Sequence, residues 1–392
     1  MRLLHTSDWH LGRSFHGVGM LEAQRAFVDQ LLDTVRDEDI DAVLIAGDVY
    51  DRALPGVDVV NLFSDALSRI RAAGATLVMT SGNHDSATRL GFGSGILAHG
   101  GVHVRTRLDQ LADPVELDLG GATLAVYGIP YLEPRMCAEE LGAEAPSHTA
   151  VTRAALGRIR ADLAQRADLA QRKAGRPVHS LVMAHTFASG GISSDSERDL
   201  SIGGVGAVPL DLFDGLDYVA LGHLHGRQAL SETVRYSGSP LPYSFSEAGH
   251  EKGGIILQFT ADGLSSVENV SWPAQRKLAV LKGSMRDLLE SADHAWAQDA
   301  YCQITITDDE RPLKAMERLR ERFPDTLVLS FEPASGPRRD TMSYSQRLAK
   351  AQDDLQVCCG FLDHVRSRPA DEAERALLAD ALQAVQAAEV SA

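Results

Sequence analysis

The sequence predicts a layered α/β protein, followed by a smaller α+β domain and a pair of helices. Strand-like apolar runs alternate with amphipathic helical stretches along the first part of the chain, the pattern of sheets covered by helices. The texture then changes near Trp272-Pro273. A length of 392 residues is more than one core usually serves, so two or three domains are expected.

The elements follow in order. Strand-like runs are Leu3–Thr6, Ala42–Ala46, Thr76–Thr80, Thr123–Tyr127, Ser180–Ala184, Tyr218–Leu221 and Val234–Tyr236. Between them, Glu22–Arg36 carries Phe27, Leu31, Leu32 and Val35 at helical spacing. Val57–Ala72 does the same with Val60, Leu62, Phe63, Leu67 and Ile70. After Val234 the pattern turns more purely strand-like. Gly254–Phe259 and Val267–Val270, joined through Ala261-Asp262-Gly263, read as a closing hairpin. These elements make a first domain of 1–275. In 276–335, Lys277–Lys282, Arg286–Leu289, Tyr301–Thr307, Pro312–Phe323 and Leu327–Phe331 read as strand, helix, strand, helix, strand. Glu332–Arg339, with two prolines and a glycine, reads as a linker. In 340–392, Tyr344–Arg366 and Asp371–Glu389 read as two helices joined at Pro369, the second with Ala376, Leu377, Leu378, Ala381, Leu382 and Val385 on one side.

Composition narrows the class. Hydrophobic content of 44% and charged content of 23% are those of a soluble globular protein. Asp8 and His10 interrupt the N-terminal region before an apolar stretch forms, and the apolar runs are too short to span a bilayer. A cytoplasmic protein with no membrane attachment is expected. Cys137, Cys302, Cys358 and Cys359 include no CxxC pair, so neither a disulfide framework nor a zinc pattern is indicated. The net charge of −16 argues against holding nucleic acid by bulk electrostatics. One local exception lies between Arg153 and Arg176, with seven Lys/Arg against two Asp/Glu. It is either a solvated helix face or an approach to phosphate.

Five apolar strands are each followed within a few residues by metal-type ligands. They deliver Asp8-Trp9-His10, Gly47-Asp48, Gly82-Asn83-His84-Asp85, His185, and Gly222-His223-Leu224-His225. In open α/β sheets functional groups gather beyond the carboxyl ends of strands. Each motif alone has an ordinary explanation as a turn or a surface dipeptide; their joint occurrence at strand ends points to one site. Carboxylate, imidazole and amide oxygen without thiolate favour manganese, iron or zinc. Asp48 could bridge two ions at the usual two-metal spacing of about 3.5–4 Å. Two such ions outweigh the charge of Asp8 and Asp48 and would attract phosphate.

These residues resemble a known family. DxH, GDxxD, GNHD, a later strand-end histidine and GHxH are similar to the motifs of calcineurin-like metallophosphoesterases. The likeness is closer to the SbcD family of nuclease subunits, through His5–Gly12, Ala46–Asp51, Gly82–Ser86, Ala220–His225 and Tyr236–Pro240 with Ser244-Phe245. It runs on into Ala279–Gly283 and fades to general character in the last fifty residues. The resemblance implies a metallophosphoesterase β-sandwich flanked by helices, a capping domain that touches DNA, and C-terminal helices that dock on an SbcC-type coiled-coil ATPase. It implies that Asp8, His10, Asp48 and His225 hold one ion and Asp48, Asn83, His185 and His223 a second, most fittingly Mn2+. His84 would not ligate but stand as the catalytic residue beside the scissile phosphate, where an imidazolium stabilises transition-state charge or protonates the leaving oxygen. Asp85 would either orient His84 or serve the turn. The implied activity is a DNA exonuclease on double-stranded ends and an endonuclease on single strands and hairpins, in repair, recombination and replication. The implied assembly is a homodimer within a heterotetramer, with Glu22–Arg36 and Val57–Ala72 as candidate dimer helices. Two alternatives remain: another phosphodiesterase acting on a small phosphoester, and a non-catalytic scaffold.

Overall fold

A computed structural model describes residues 1–172, 175–197, 206–334, 354–366 and 370–390. By chain contacts these divide into two compact units. The first comprises Met1–Leu281, Ser291–Ile304 and Met316–Val328; the second comprises Lys282–Glu290, Thr305–Ala315 and Leu329–Ala392.

The first unit begins with β1 (Arg2–Thr6), a small hairpin β2 (Ser14–Phe15) and β3 (Val18–Gly19), and α1 (Leu21–Asp37). Then come β4 (Ala42–Ala46), α2 (Val57–Ala72), β5 (Thr76–Thr80), α3 (Ala87–Leu90), α4 (Ser94–His99) and β6 (Val102–Arg105). They are followed by β7 (Val115–Asp118), β8 (Thr123–Gly128), α5 (Pro134–Leu141), α6 (His148–Arg172) and β9 (Val178–His185). The run ends with β10 (Tyr218–Gly222), β11 (Gln228–Ala229), β12 (Val234–Tyr236), β13 (Gly253–Thr260) and β14 (Gly263–Ser271).

Two six-stranded sheets result, in the orders β14-β13-β1-β4-β5-β6 and β11-β12-β10-β9-β8-β7. Within the first, β1, β4, β5 and β6 are parallel and β13 and β14 antiparallel. Within the second, β8, β9, β10 and β12 are parallel. Alternation along each strand sorts the side chains between two cores. Leu44, Val78, Leu181, Met183 and Ala220 meet in the core between the sheets. Val43, Ile45, Leu77 and Met79 face the other way, against Phe27, Leu31, Leu62 and Phe63 of α1 and α2. Val182, Val219 and Leu221 do likewise against Leu156 and Ile159 of α6. The expected sandwich between helical layers is therefore present.

All seven expected strands and the closing hairpin form. The sequence reading missed β6 and β7. β7 is an edge strand whose Glu116 and Asp118 face water, so its apolar signal is halved. Helix α6 is Ala-rich and only weakly amphipathic.

A further sheet runs in the order β15 (Leu278–Gly283), β16 (Tyr301–Ile306), β17 (Thr326–Phe331). Helix α7 (Met285–Glu290) follows β15 and α8 (Ala315–Arg322) precedes β17. Two last helices, α9 (Asp354–Arg366) and α10 (Glu372–Val390), pack on one another. Most of the Glu332–Arg339 linker, the start of Tyr344–Arg366 and Pro369 itself lie outside the described residues. No described helix is long and apolar enough to cross a membrane.

One polar contact crosses the sandwich core. His5 of β1 is fully buried, and its Nε2 lies 3.2 Å from the Leu221 carbonyl of β10. That carbonyl only accepts, so Nε2 carries the hydrogen. The Tyr218 hydroxyl, 3.1 Å from Nδ1, is then the donor there. Burial lowers the imidazole to about 3, against the smaller raising effect of the Leu221 hydrogen bond. The unfolded chain therefore binds a proton below about 6.5 that the fold refuses, and stability is lost as pH falls from 6.5 toward 3. His5→Gln is expected to cost about 1–3 kcal/mol at pH 7 by leaving buried partners unmet. That penalty should shrink by about 2 kcal/mol at pH 5, where the wild type pays for the refused proton. Urea unfolding of both forms in EDTA measures it; a penalty independent of pH would refute the neutral buried state.

Candidate metal centre

The five ligand-bearing segments leave the carboxyl ends of β1, β4, β5, β9 and β10. The strands are not all neighbours in sequence, but β1, β4 and β5 adjoin in one sheet and β9 and β10 in the other. Face-to-face packing of the sheets brings the two sets of ends together. Backbone bonds then lash the loops: Asp8 N–H to the Gly47 carbonyl (3.1 Å), His10 N–H to the Asp48 carbonyl (3.0 Å) and Leu11 N–H to the Val49 carbonyl (3.0 Å).

The approach is close enough to dictate glycine. A Cβ on Gly82 would sit 2.1 Å from Asp48 Oδ1, and one on Gly222 would sit 1.9 Å from the Ala46 carbonyl oxygen. Strain is concentrated here as well. Of the seven described non-glycine residues at positive φ, four are Asp8 (54°), His10 (43°), Asp48 (47°) and His223 (108°). Such conformations persist only where surrounding structure enforces them, and they cluster at functional sites.

Asp8, His10, Asp48, His185, His223 and His225 are all buried, and Asn83 is half-buried. Donor atoms of Asp8, His10 and His225 lie within 4.8 Å of one another, as do those of Asp8, Asp48 and His185, and those of His10, Asp48 and His84. His10 Nε2 is 3.0 Å from His225 Nε2 and 3.5 Å from Asp48 Oδ2. His185 donates from Nδ1 to the Ala46 carbonyl (2.9 Å), which turns Nε2 toward Asn83 Oδ1 (3.0 Å) and Asp48 Oδ2 (3.4 Å). The His223 ring stands edge-on to His185, centroids 5.4 Å apart, and its backbone N–H donates to both Asp8 oxygens. All seven residues picked from the sequence as ligands thus surround one small volume.

His84 lies against the same cluster, its ring 4.6 Å from that of His10. Its Nδ1 meets the Asp51 carbonyl at 2.8 Å, and its backbone N–H donates to Asp48 Oδ1 at 2.8 Å. Asp85 is engaged elsewhere. That carboxylate accepts from the backbone N–H groups of Val49, Tyr50 and Gly82, stapling the second and third loops. Of the two roles open for Asp85, these bonds are those of the turn role, and it is the Asp51 carbonyl that meets the histidine's Nδ1. Sequence reasoning also missed Gln24, which donates to the His10 carbonyl (2.9 Å) and accepts from Gly12 N–H (3.0 Å). Its signal was a polar residue on the apolar stripe of α1, one turn before Phe27 and Val28.

The residues fit divalent ions. Two buried carboxylates, the Asn83 amide oxygen and imidazole nitrogens lie close to one another, and His10 Nδ1 is buried with no hydrogen-bond partner. Burial, with the charge of Asp48 adding, raises the Asp8 carboxyl to about 6. Burial opposes ionisation of Asp48 too, but His185, His10 and His84 outweigh it and hold that carboxyl well below its usual range. For His185 burial lowers, yet the Asp48 charge and hydrogen bond, with Asp8, prevail and raise it to about 9. In the metal-free protein a proton on His185 therefore stands where a cation would.

The basic segment is not a free patch. Arg153 pairs with Glu144, Arg166 with Asp162 and Glu116, Arg172 with Asp168 and Arg176 with Asp118. Arg158 and Arg160 donate to backbone carbonyls. Lys173 lies outside the described residues.

The proton on His185 must leave when a cation binds. Binding at pH 7.5 is expected to release about one proton, and affinity should rise about tenfold per pH unit up to about 9, then level off. Titration calorimetry in buffers of different protonation enthalpy measures both; binding without proton release would contradict the His185–Asp48 pairing.

Comparison with known proteins agrees with this geometry. The family model described as calcineurin-like phosphoesterase matches residues 1–227. A second, SbcD_C, described as type 5 capsule protein repressor C-terminal domain, matches residues 274–366. Among solved structures, similarity extends to GAP50, the anchor in the inner membrane complex of Plasmodium, at 12% identity, over 86% of this chain and 98% of that one, with a TM-score of 0.43. It extends to a dimetal phosphatase from Danio rerio at 12% identity, 70% and 99% coverage and a TM-score of 0.40. A protein of Thermus thermophilus is similar at 13% identity, 69% and 98% coverage and a TM-score of 0.37. At such scores these likenesses are recorded as similarity alone. With the phosphoesterase model covering more than half of it, the chain belongs to the calcineurin-like phosphoesterase family.

Proposed function

We propose that this protein is a two-metal, Mn2+-dependent nuclease of the SbcD type that hydrolyses DNA phosphodiester bonds at ends, hairpins and single strands. Membership of the family implies metal-dependent hydrolysis of a phosphoester. The narrower choice of DNA is carried by one observation: the SbcD_C match over 274–366, joined to a complete ligand set.

Asp8, His10, Asp48 and His225 would hold the first ion, and Asp48, Asn83, His185 and His223 the second, with Asp48 shared. Divalent ions held there supply Lewis acidity toward a phosphoester oxygen and lower the pKa of water. The chain supplies the rest. Asp48 is fixed by the His84 N–H, and His185 is aimed by the Ala46 carbonyl. His84, with Nδ1 held on the Asp51 carbonyl, keeps Nε2 as the atom that passes a proton to the leaving oxygen. Buried, tightly lashed loops hold these groups in place before the substrate arrives.

Partners follow from exposed apolar residues. The apolar face of α1 is buried in this protein's own core, whereas Leu54, Val57, Phe92 and Ile96 are exposed, and Arg89 bonds the Ala53 carbonyl to tie their two segments. A second copy of the chain is the proposed occupant. Phe361 of α9 and Leu377 of α10 are likewise exposed and suit docking on a coiled-coil ATPase of the SbcC type. Action on chromosomal DNA would place the protein in the cytoplasm, on the nucleoid.

His84→Gln should retain both ions while losing about 10²–10⁴-fold in hydrolysis; loss of an ion would make His84 a ligand instead, as its place in the His10–Asp48 group also allows. Asp48→Ala should lose both. Metal analysis beside turnover separates these outcomes. Substrate class is tested by Mn2+-dependent release from linear duplex and hairpin DNA against p-nitrophenyl phosphate, with and without the ATPase and ATP. Robust phosphatase activity with no DNA cleavage in any arm would overturn the nuclease assignment and favour a small phosphoester.

A further inference from the structure

Behind His225 lies a buried charge network that neither binding nor chemistry accounts for. Glu247 and Lys252 form an ion pair with side-chain exposures of 0% and 4%. Removing two charges from water costs several kcal/mol per ion, roughly, and apolar residues of similar size would often serve stability as well. The pair therefore calls for another explanation.

Its hydrogen bonds have a single direction. The Lys252 ammonium donates to Glu247 Oε2, to the His225 carbonyl (2.9 Å) and to Ser239 Oγ (2.9 Å), which engages all three of its hydrogens. Glu247 Oε1 accepts from the Ser196 hydroxyl (2.5 Å) and from Tyr243 N–H (3.2 Å). A carboxylate so surrounded only accepts, so the hydroxyl hydrogen of Ser196 points at Glu247. Ser196 Oγ is then left to accept from His225 Nδ1, 2.6 Å away. Nδ1 must carry the hydrogen, and Nε2, which faces His10 Nε2 at 3.0 Å, carries the lone pair.

We propose that Glu247, acting through Ser196 and anchored by Lys252, is a positioning residue that fixes His225 in its Nδ1–H tautomer and orients Nε2 as a cation ligand. The same strap is closed by Glu197, which accepts from His225 N–H (2.6 Å), and by Arg13, which donates to the Ser196 carbonyl (2.7 Å). The short segment Ser194–Glu197 is itself tied together, Glu197 accepting from the Ser194 N–H (2.6 Å) and hydroxyl (2.7 Å). Partners of this kind fix the ring and raise its basicity, and their removal typically weakens metal binding roughly 10–100-fold. The inference rests on the metal-centre reading but not on the choice of DNA as substrate.

The test uses the full chain and Mn2+ alone. Glu247→Gln would strand a buried ammonium, so the informative variant is E247Q combined with Lys252→Met, which restores neutrality. Ser196→Ala, which removes the relay and leaves the ion pair, is the second. Manganese binding is followed by calorimetry and by the electron-paramagnetic signature of the coupled ion pair, with melting in EDTA as the control for folding. Both variants should melt near the wild type, bind one ion normally and the other about 10–100-fold more weakly, and lose the coupled signal at limiting Mn2+. Because Glu247 Oε1 also lies 3.4 Å from His225 Nδ1, wild-type affinity at both sites in a folded S196A protein would overturn the relay through Ser196, and wild-type affinity in both folded variants would overturn the positioning role itself. A wild type that binds no pair of ions would instead overturn the metal-centre reading itself.

Discussion

Two buried carboxylates, Asp8 and Asp48, share one small volume, and their mutual repulsion is the constraint on which the rest of the site depends. Like charges out of water cannot both persist unless positive charge stands between them. In the metal-free protein that charge comes from a proton on His185. The arrangement is then only partly satisfied, since burial and the Asp48 charge still push the Asp8 carboxyl up to about 6. Cations with open coordination positions resolve the conflict and leave a net positive field, which is what a phosphoester seeks. The site is electrostatically incomplete without its ions, and the family assignment agrees with that incompleteness.

Holding such groups together needs a rigid frame, and the sandwich provides one. Its strand ends are fixed by a packed core in which Leu44, Val78, Leu181 and Met183 interlock, and side chains in such cores have little freedom to shift. The loops beyond them take strained backbone angles at four of the candidate ligands. Neighbours impose those angles: Gln24 on the His10 loop, Asp85 on the Asp48 loop, Tyr243 through its hydroxyl bond to the Trp9 carbonyl. The chain thus stores strain where it also concentrates charge.

The acidic balance of the protein acquires a physical sense here. Three arginines of α6 are paired with neighbouring acids, and Arg158 and Arg160 are engaged by backbone carbonyls, so little of that helix's positive charge stands unopposed. Attraction of a polyanion would then come from bound cations at the site and from a partner. Affinity for DNA under the proposed function would accordingly depend on metal occupancy more than on surface charge.

The strand runs, the closing hairpin and the seven residues that meet at the candidate site were legible in the sequence, because apolar periodicity and Asp/His/Asn motifs at strand ends are local patterns. Edge strand β7 was not, since half of its residues face water, and α6 showed only in part, as the solvated helix face among the readings of Arg153–Arg176, because its Ala-rich face blurs the helical period. The supporting residues were beyond reach for a different reason. Asp51, Glu247, Lys252 and Ser196 act through contacts that span up to tens of positions, and nothing in their neighbours along the chain distinguishes them. Local order therefore determined which elements form and which side chains are fit for metal. Only the tertiary structure decided which strand ends meet, which nitrogen of each imidazole faces the centre, and which buried charge stands behind it, because these depend on packing two sheets face to face.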